Sequence, residues 1–238
     1  MNNYIYIILL IIFILIVSII IYFVKRKIFN KCCDCLENDY TIVKVPKLPI
    51  NLVKELYETI INNGTRLDPK LNFNNAKGKK INYFKLSHNI KRFYEHPIFK
   101  KIVSKSIDKE LNMTDNKERY KIFARLYEDE NDFLDWHYDN NFTTGVRYTL
   151  VIPVYVDNCN TSEFKIKDRK TSKIKTVKLK VGEGVIYNGS VVSHSISKQT
   201  KGCKRMVIVI PFYTNYIKNI FGNILEYSRN IIWDKLKI

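Results

Sequence analysis

Beyond residue 118 the chain is cut into short apolar, β-branched runs separated by turn residues, and this spacing limits the architectures open to it. Runs near 119–128, 134–139, 146–156, 162–167, 174–180, 184–188, 191–196 and 204–213 read as strands. About eight strands at this spacing predict a sandwich or jelly roll. The stretch before them follows a different period. Leu52, Val53, Leu56, Ile60 and Ile61 recur at helical spacing with Gly64 as a stop. A second helix is expected from Pro97, a favourable first-turn residue, through Ile98, Ile102, Val103 and Ile107. Neither helix carries chemistry, so both read as buttresses for the sheet. Residues 215–238 return to helical spacing and are expected to pack on the same domain, with contact to a membrane surface as the alternative. The expected fold class is α+β, mainly β, in one domain spanning 45–238 with its core at about 119–213.

The other end of the chain has a separate character. Tyr4 to Val24 carry no charge, and Ser18 is the one clearly polar residue among them. At ~1.5 Å per residue such a helix covers a hydrocarbon core roughly 30 Å thick, so residues 1–27 are expected to form a transmembrane anchor with a basic flank. The leader Met1-Asn2-Asn3 lacks the positive charge of a cleaved signal, and Lys25-Arg26-Lys27 follow the run instead. That flank predicts a single-pass membrane protein whose large C-terminal part faces the cytosol. Residues 28–44 read as a juxtamembrane linker in which Cys32, Cys33 and Cys35 are either palmitoylated or left as thiols. With Cys159 and Cys203 the cysteines number five, an odd count that suggests no disulfide framework and a reduced chain. Sequons at Asn63, Asn112, Asn141, Asn160 and Asn188 would matter only for a lumenal domain.

Hydrophobic content of 46% with 13% aromatics argues against disorder. The net charge of +17 either reflects lysine-rich coding or attracts an anionic partner such as lipid, nucleic acid or an acidic protein. The charge is densest in a hairpin running from Lys165 to Lys180, where a solvated surface is the plainer explanation.

Chemistry concentrates in Trp136-His137-Tyr138-Asp139, at the end of an expected strand. Residues two apart on a strand share a face, so His137 and Asp139 can reach one metal ion together. A third ligand must come from elsewhere. Of the four histidines, His88 and His96 lie in the helical region, whereas His194 falls on another expected strand, Val191 to Ile196. Two neutral imidazoles and one carboxylate on one face of an octahedral ion leave three positions open, which suits non-haem Fe(II).

Further landmarks follow at matching distances. After Asp139 come the apolar strand Tyr148–Tyr155, then Ser162-Glu163-Phe164, Gly182-Glu183-Gly184-Val185-Ile186-Tyr187, His194, and Gly202-Cys203-Lys204-Arg205. Over about residues 120–213 this order resembles the double-stranded β-helix core of the 2-oxoglutarate/Fe(II)-dependent dioxygenases, and within them the prolyl 4-hydroxylase-like branch. The resemblance implies a jelly-roll core and an iron site at His137, Asp139 and His194. It also implies 2-oxoglutarate as cosubstrate, O2 as substrate and ascorbate as an optional reductant. The distal cosubstrate carboxylate needs a buried cation, and either Lys204 or Arg205 would supply it. Lys204 has the family's usual spacing and Arg205 the better fork, and adjacent strand residues face opposite ways. Tyr127, ten positions before His137, is either a cosubstrate contact or an ordinary strand tyrosine. Two departures stand out: Pro153 replaces a common tyrosine, and Thr161-Ser162 replace a glycine pair. The substrate implied is a protein side chain such as proline. Nucleic acid or a small molecule is the alternative substrate class, and a non-catalytic membrane-displayed jelly roll the alternative role.

Overall fold

The computed structural model describes residues 36, 39–70, 75–141, 143–157 and 163–217. Helix α1 (Ile50–Asn63) buries Val53, Leu56 and Ile60 of the stripe read from the sequence, leaves Leu52 partly buried and Ile61 exposed, and ends at Gly64. Helix α2 (His88–Tyr94) begins where the Ser87 hydroxyl accepts the Ile90 amide at 3.3 Å. It was not expected, because seven residues are too few to establish a helical period. Helix α3 (Pro97–Ile107) starts at the expected proline and buries Phe99, Val103 and Ile107.

The strands are β1 (Tyr40–Lys44), β2 (Thr65–Leu67), β3 (Ala76–Ile81), β4 (Asn112–Met113), β5 (Phe123–Tyr127) and β6 (Phe133–His137). They continue as β7 (Arg147–Val156), β8 (Phe164–Lys167), β9 (Ile174–Val177), β10 (Glu183–Tyr187), β11 (His194–Ile196) and β12 (Arg205–Tyr213). The last eight fall where the sequence placed strands. The first four are short or flanked by polar residues, and no alternation marks them. Strand β1 lies within the stretch read as linker, yet it pairs with β10 from Tyr40 opposite Tyr187 to Lys44 opposite Glu183.

All pairings are antiparallel, in the order β1-β10-β7-β12-β5-β3-β6-β11-β8-β9. The result is a mainly β fold whose antiparallel sheet curls on itself with few helices, consistent with a jelly roll. Strand β3 makes the curl. Lys79, Lys80 and Ile81 pair with β5, whereas Ala76 and Lys77 pair with β6. Between the two halves sits Gly78 at φ 142°, where a Cβ would meet the Leu126 carbonyl oxygen at 3.0 Å and the Tyr127 ring at 3.3 Å. Glycine is needed at this corner both for its backbone angle and for the close approach.

Alternation sorts the larger sheet into two faces. Ala124, Leu126, Tyr148, Leu150, Ile152, Ile186, Met206, Ile208 and Ile210 share one apolar cluster with Leu56, Ile60, Ile90, Tyr94, Phe99 and Val103 of the helices. Their strand neighbours must therefore face the hollow of the curl. These include Arg125, Tyr127, Arg147, Thr149, Val151, Tyr187, Arg205 and Val207.

The expectation of a single-pass membrane protein is corrected here. Among the described residues no helix is long and apolar enough to cross a membrane. The longest, α1, has 14 residues and carries Lys54, Glu55 and Glu58, where a span needs about 20 mostly apolar ones. The Tyr4–Val24 run, the Cys32–Cys35 cluster and the helical reading beyond residue 217 lie outside the described residues. The reduced-chain expectation also fails at Cys203, which is disulfide-bonded.

Gly78→Ala is expected to lower the urea-unfolding free energy by about 1–3 kcal/mol, from strain at a positive φ and crowding of Leu126. Equilibrium denaturation followed by tryptophan fluorescence reads this, and an unchanged midpoint would remove Gly78 as the corner.

Candidate metal centre

His137 ends β6, Asp139 lies just beyond it, and His194 opens β11 directly opposite His137 in the antiparallel register. The pairing brings the imidazole centroids to 4.1 Å. Both Nε2 atoms lie 3.9 Å from the same oxygen, Asp139 Oδ1. The three residues are the described group with donor atoms all within 4.8 Å of one another.

Each donor is oriented by a second contact. His137 Nδ1 lies 2.8 Å from the Asp135 carbonyl, and His194 Nδ1 lies 3.1 Å from the Val192 carbonyl. A carbonyl can only accept, so both Nδ1 atoms carry the proton and both Nε2 lone pairs face the shared space. Asp139 is divided in the same manner. Its Oδ2 accepts the Thr149 hydroxyl at 2.6 Å and lies 3.7 Å from Arg147 Nη2, leaving Oδ1 toward the histidines. The Asp139 amide donates to the Gly189 carbonyl at 2.8 Å. A Cβ on Gly189 would stand 2.1 Å from Asp139 Oδ2, so the carboxylate occupies the room a larger residue would take.

Electrostatics hold the set in its ligating form. Burial lowers the His194 pKa to about 3, and the His137 charge pushes the same way. His137 is lowered as well, mainly by burial, against the pull of Asp139. Burial pushes the Asp139 carboxyl up, but the Arg147 guanidinium, both imidazoles and the Thr149 hydroxyl outweigh it and hold it well below the usual range. The histidines are therefore neutral and the aspartate ionised near neutral pH, the protonation states a divalent metal requires. Tyr187 and Phe164 stack around His194 with ring centroids at 4.6 and 5.9 Å.

The two residues of the basic pair differ in burial. Arg205 is 5% exposed and faces the hollow, directly opposite Tyr127, which is 1% exposed. Lys204 turns outward, its Nζ donating to the Tyr57 hydroxyl at 3.1 Å and lying 3.8 Å from Glu128. A cavity of about 100 Å³ at this end is lined by Arg205, Phe164, Val177 and Gln199 among others. Burial lowers the Arg205 pKa to about 10, partly offset by Tyr127. Pro153 is buried opposite Val207, so this stretch of β7 is an apolar wall.

Sequence reasoning missed Arg125, Arg147 and Gly189, and used Thr149 only as a landmark. The signal was present for the two arginines. Arg125 lies two residues before Tyr127, and Arg147 two before Thr149, so the period of a strand puts each on the inner face. Nothing local marks Gly189.

No protein-family model matches the sequence, and no curated protein does. Solved structures do match. A 2OG-Fe(II) oxygenase-family oxidoreductase from Burkholderia pseudomallei is 8% identical with a TM-score of 0.56, covering 79% of this chain and 97% of that one. A prolyl hydroxylase from Trichoplax adhaerens, in complex with a hypoxia-inducible-factor peptide fragment, is 13% identical with a TM-score of 0.53, covering 74% and 84%. HygX from Streptomyces hygroscopicus, with nickel and 2-oxoglutarate bound, is 8% identical with a TM-score of 0.54, covering 76% and 85%. This chain has the fold of the 2-oxoglutarate/Fe(II) oxygenases. The likeness rests on backbone geometry, since identities this low leave few shared side chains.

Two outcomes follow. Gly189→Ala is expected to keep the fold but weaken divalent-metal affinity on the order of ten- to a hundred-fold, because Asp139 must turn away. Calorimetric titration with Ni(II) reads it. In the metal-free chain the two histidines have folded pKa values below their unfolded ones. Between about pH 6.5 and 3 the unfolded chain then takes up protons that the folded chain refuses, so stability falls as pH drops through this window. Asp139 acts only at lower pH, where carboxylates titrate. The urea midpoint should decline from pH 7 to pH 5, and His194→Gln should flatten that decline.

Proposed function

We propose that the chain is an Fe(II)- and 2-oxoglutarate-dependent dioxygenase that hydroxylates a substrate C–H bond. The observation that carries this reading is the convergence of two lone pairs and one carboxylate oxygen, each turned inward by a partner on its other atom. His137, Asp139 and His194 would hold the metal, and such a donor set on one face suits Fe(II). When bound, iron with 2-oxoglutarate and O2 supplies an oxidant able to attack an unactivated C–H bond, with ascorbate as an optional reductant.

The remaining work belongs to this chain's own side chains. Arg205 presents a buried fork to the distal carboxylate of the cosubstrate, with Tyr127 beside it. Thr149 and Arg147 keep one oxygen of Asp139 occupied so that the other stays directed at the site. Val151, Val185, Val207 and Val209 are buried on the strands that wall the hollow and exclude water from it. A protein side chain such as proline is the first candidate substrate, supported by the fold shared with a prolyl hydroxylase that binds a peptide.

The test is succinate formation by the full chain with Fe(II), 2-oxoglutarate and O2. Turnover should require iron and vanish in His137→Ala and in His194→Ala. Arg205→Gln should raise KM for 2-oxoglutarate about ten-fold or more, the worth of a charge-assisted hydrogen bond, while Lys204→Gln leaves it unchanged. Iron-independent succinate, or activity surviving both histidine substitutions, would overturn the proposal.

A further inference from the structure

Arg125 is a cation of the hollow that the reading above does not use. It lies on β5 between Ala124 and Leu126, both of which belong to the helix-facing cluster, so its side chain projects the other way. Its charge bears on His137 and on Tyr187, two residues of the site. Its Nη1 is buried with no hydrogen-bond partner among the described residues.

The register fixes its level. On β12, Arg205 stands opposite Tyr127, Val207 opposite Arg125, and Pro211 opposite Thr149, the residue that holds Asp139. Two strand residues advance about 7 Å, so Arg125 stands about 7 Å nearer the metal ligands than the Arg205 rung. The residues that line the cavity at Arg205 do not include Arg125. A second cation, Lys80, is paired with Arg125 from β3, and its Nζ lies 3.9 and 4.7 Å from the Tyr120 and Phe123 ring centroids. The acid of the site, Asp139, is already engaged by Arg147 and Thr149. Arg125 as a whole is half-buried, but its Nη1 is shut from water without a partner among the described residues, a cost that an arriving anion recovers.

Resting on the oxygenase reading, we propose that Arg125 recognises a carboxylate of the primary substrate, carried within a few bonds of the oxidised carbon. The cosubstrate does not account for it, because its distal carboxylate is met by Arg205 one rung deeper and its other end belongs at the metal. A carboxylate fits a single fork in a bidentate manner and is neutralised by it one for one, whereas a phosphate dianion would leave a second charge uncompensated by Arg125 alone. The carboxylate comes either from an acidic side chain of a peptide or from a terminal or free acid.

The experiment is calorimetric binding to the full chain loaded with Ni(II) and 2-oxoglutarate, a loading that does not turn over. The probes are matched pairs: N-acetyl-aspartamide with a free side-chain carboxylate against N-acetyl-asparaginamide, and N-acetylproline against N-acetylprolinamide. Inorganic phosphate is a fifth probe. At least one carboxylate should bind ten-fold or more tightly than its amide, and the pair that discriminates identifies the source. The preference should fall below two-fold in Arg125→Gln, return partly in Arg125→Lys and persist in Lys204→Gln. Arg125→Gln should also melt at about the same temperature, since it removes a half-buried side chain whose Nη1 has no partner among the described residues. Equal binding of acid and amide overturns the proposal, as does tighter binding of phosphate than of either acid. Loss of 2-oxoglutarate binding in Arg125→Gln would make it a cosubstrate ligand, and a melting temperature lowered by more than about 5 °C would make it structural. Absence of succinate from the wild type with Fe(II) would sink the oxygenase reading alone, because the acid–amide preference is measured without turnover.

Discussion

The division of β5, β7, β10 and β12 into an apolar face and a charged face is the constraint on which the rest of this molecule depends. The apolar face is filled by α1, α2 and α3, and its cluster supplies the burial that holds the sheet. The opposite face is closed by the curl through Gly78, which folds β6, β11 and β8 over it. Arginine, histidine and aspartate side chains are thereby trapped in a hollow that an open sheet would have left in water. Every charge so trapped needs a partner or a ligand.

Asp139 shows how that need becomes a function. Burial alone would protonate it, yet Arg147 and the Thr149 hydroxyl keep it ionised while consuming only one of its oxygens. The same contacts point the other oxygen at two imidazoles whose protons are committed to backbone carbonyls. The site is preorganised because each ligand is held by the atom it does not use. On the proposed reading Arg205 and Arg125 are the complementary case, cations of the inner face that carboxylates of cosubstrate and substrate would meet.

Much of this was legible along the chain. His137 and Asp139 two apart, His194 as a strand histidine, and eight strands in the second half follow from alternation and composition. Those are local properties, and the period of a strand does not depend on what packs against it. Strand alternation also implied that only one of Lys204 and Arg205 could face inward.

Which one did was a tertiary matter. It depended on which face of β12 the helices covered, and Met206, Ile208 and Ile210 took that face, sending Arg205 into the hollow and Lys204 out to Tyr57. The transmembrane expectation drew on residues outside the described fold, and the described helices do not support it. Strand β1 gained its identity only by pairing with β10, and Gly189 its meaning only from the Asp139 carboxylate beside it. The sequence alone determined the periods, the ligand types and their spacing, since these are written in neighbouring residues. The closure that brings His137, Asp139 and His194 to one point was decided by tertiary structure, because a corner at Gly78 and a register between β6 and β11 join residues that no local pattern connects.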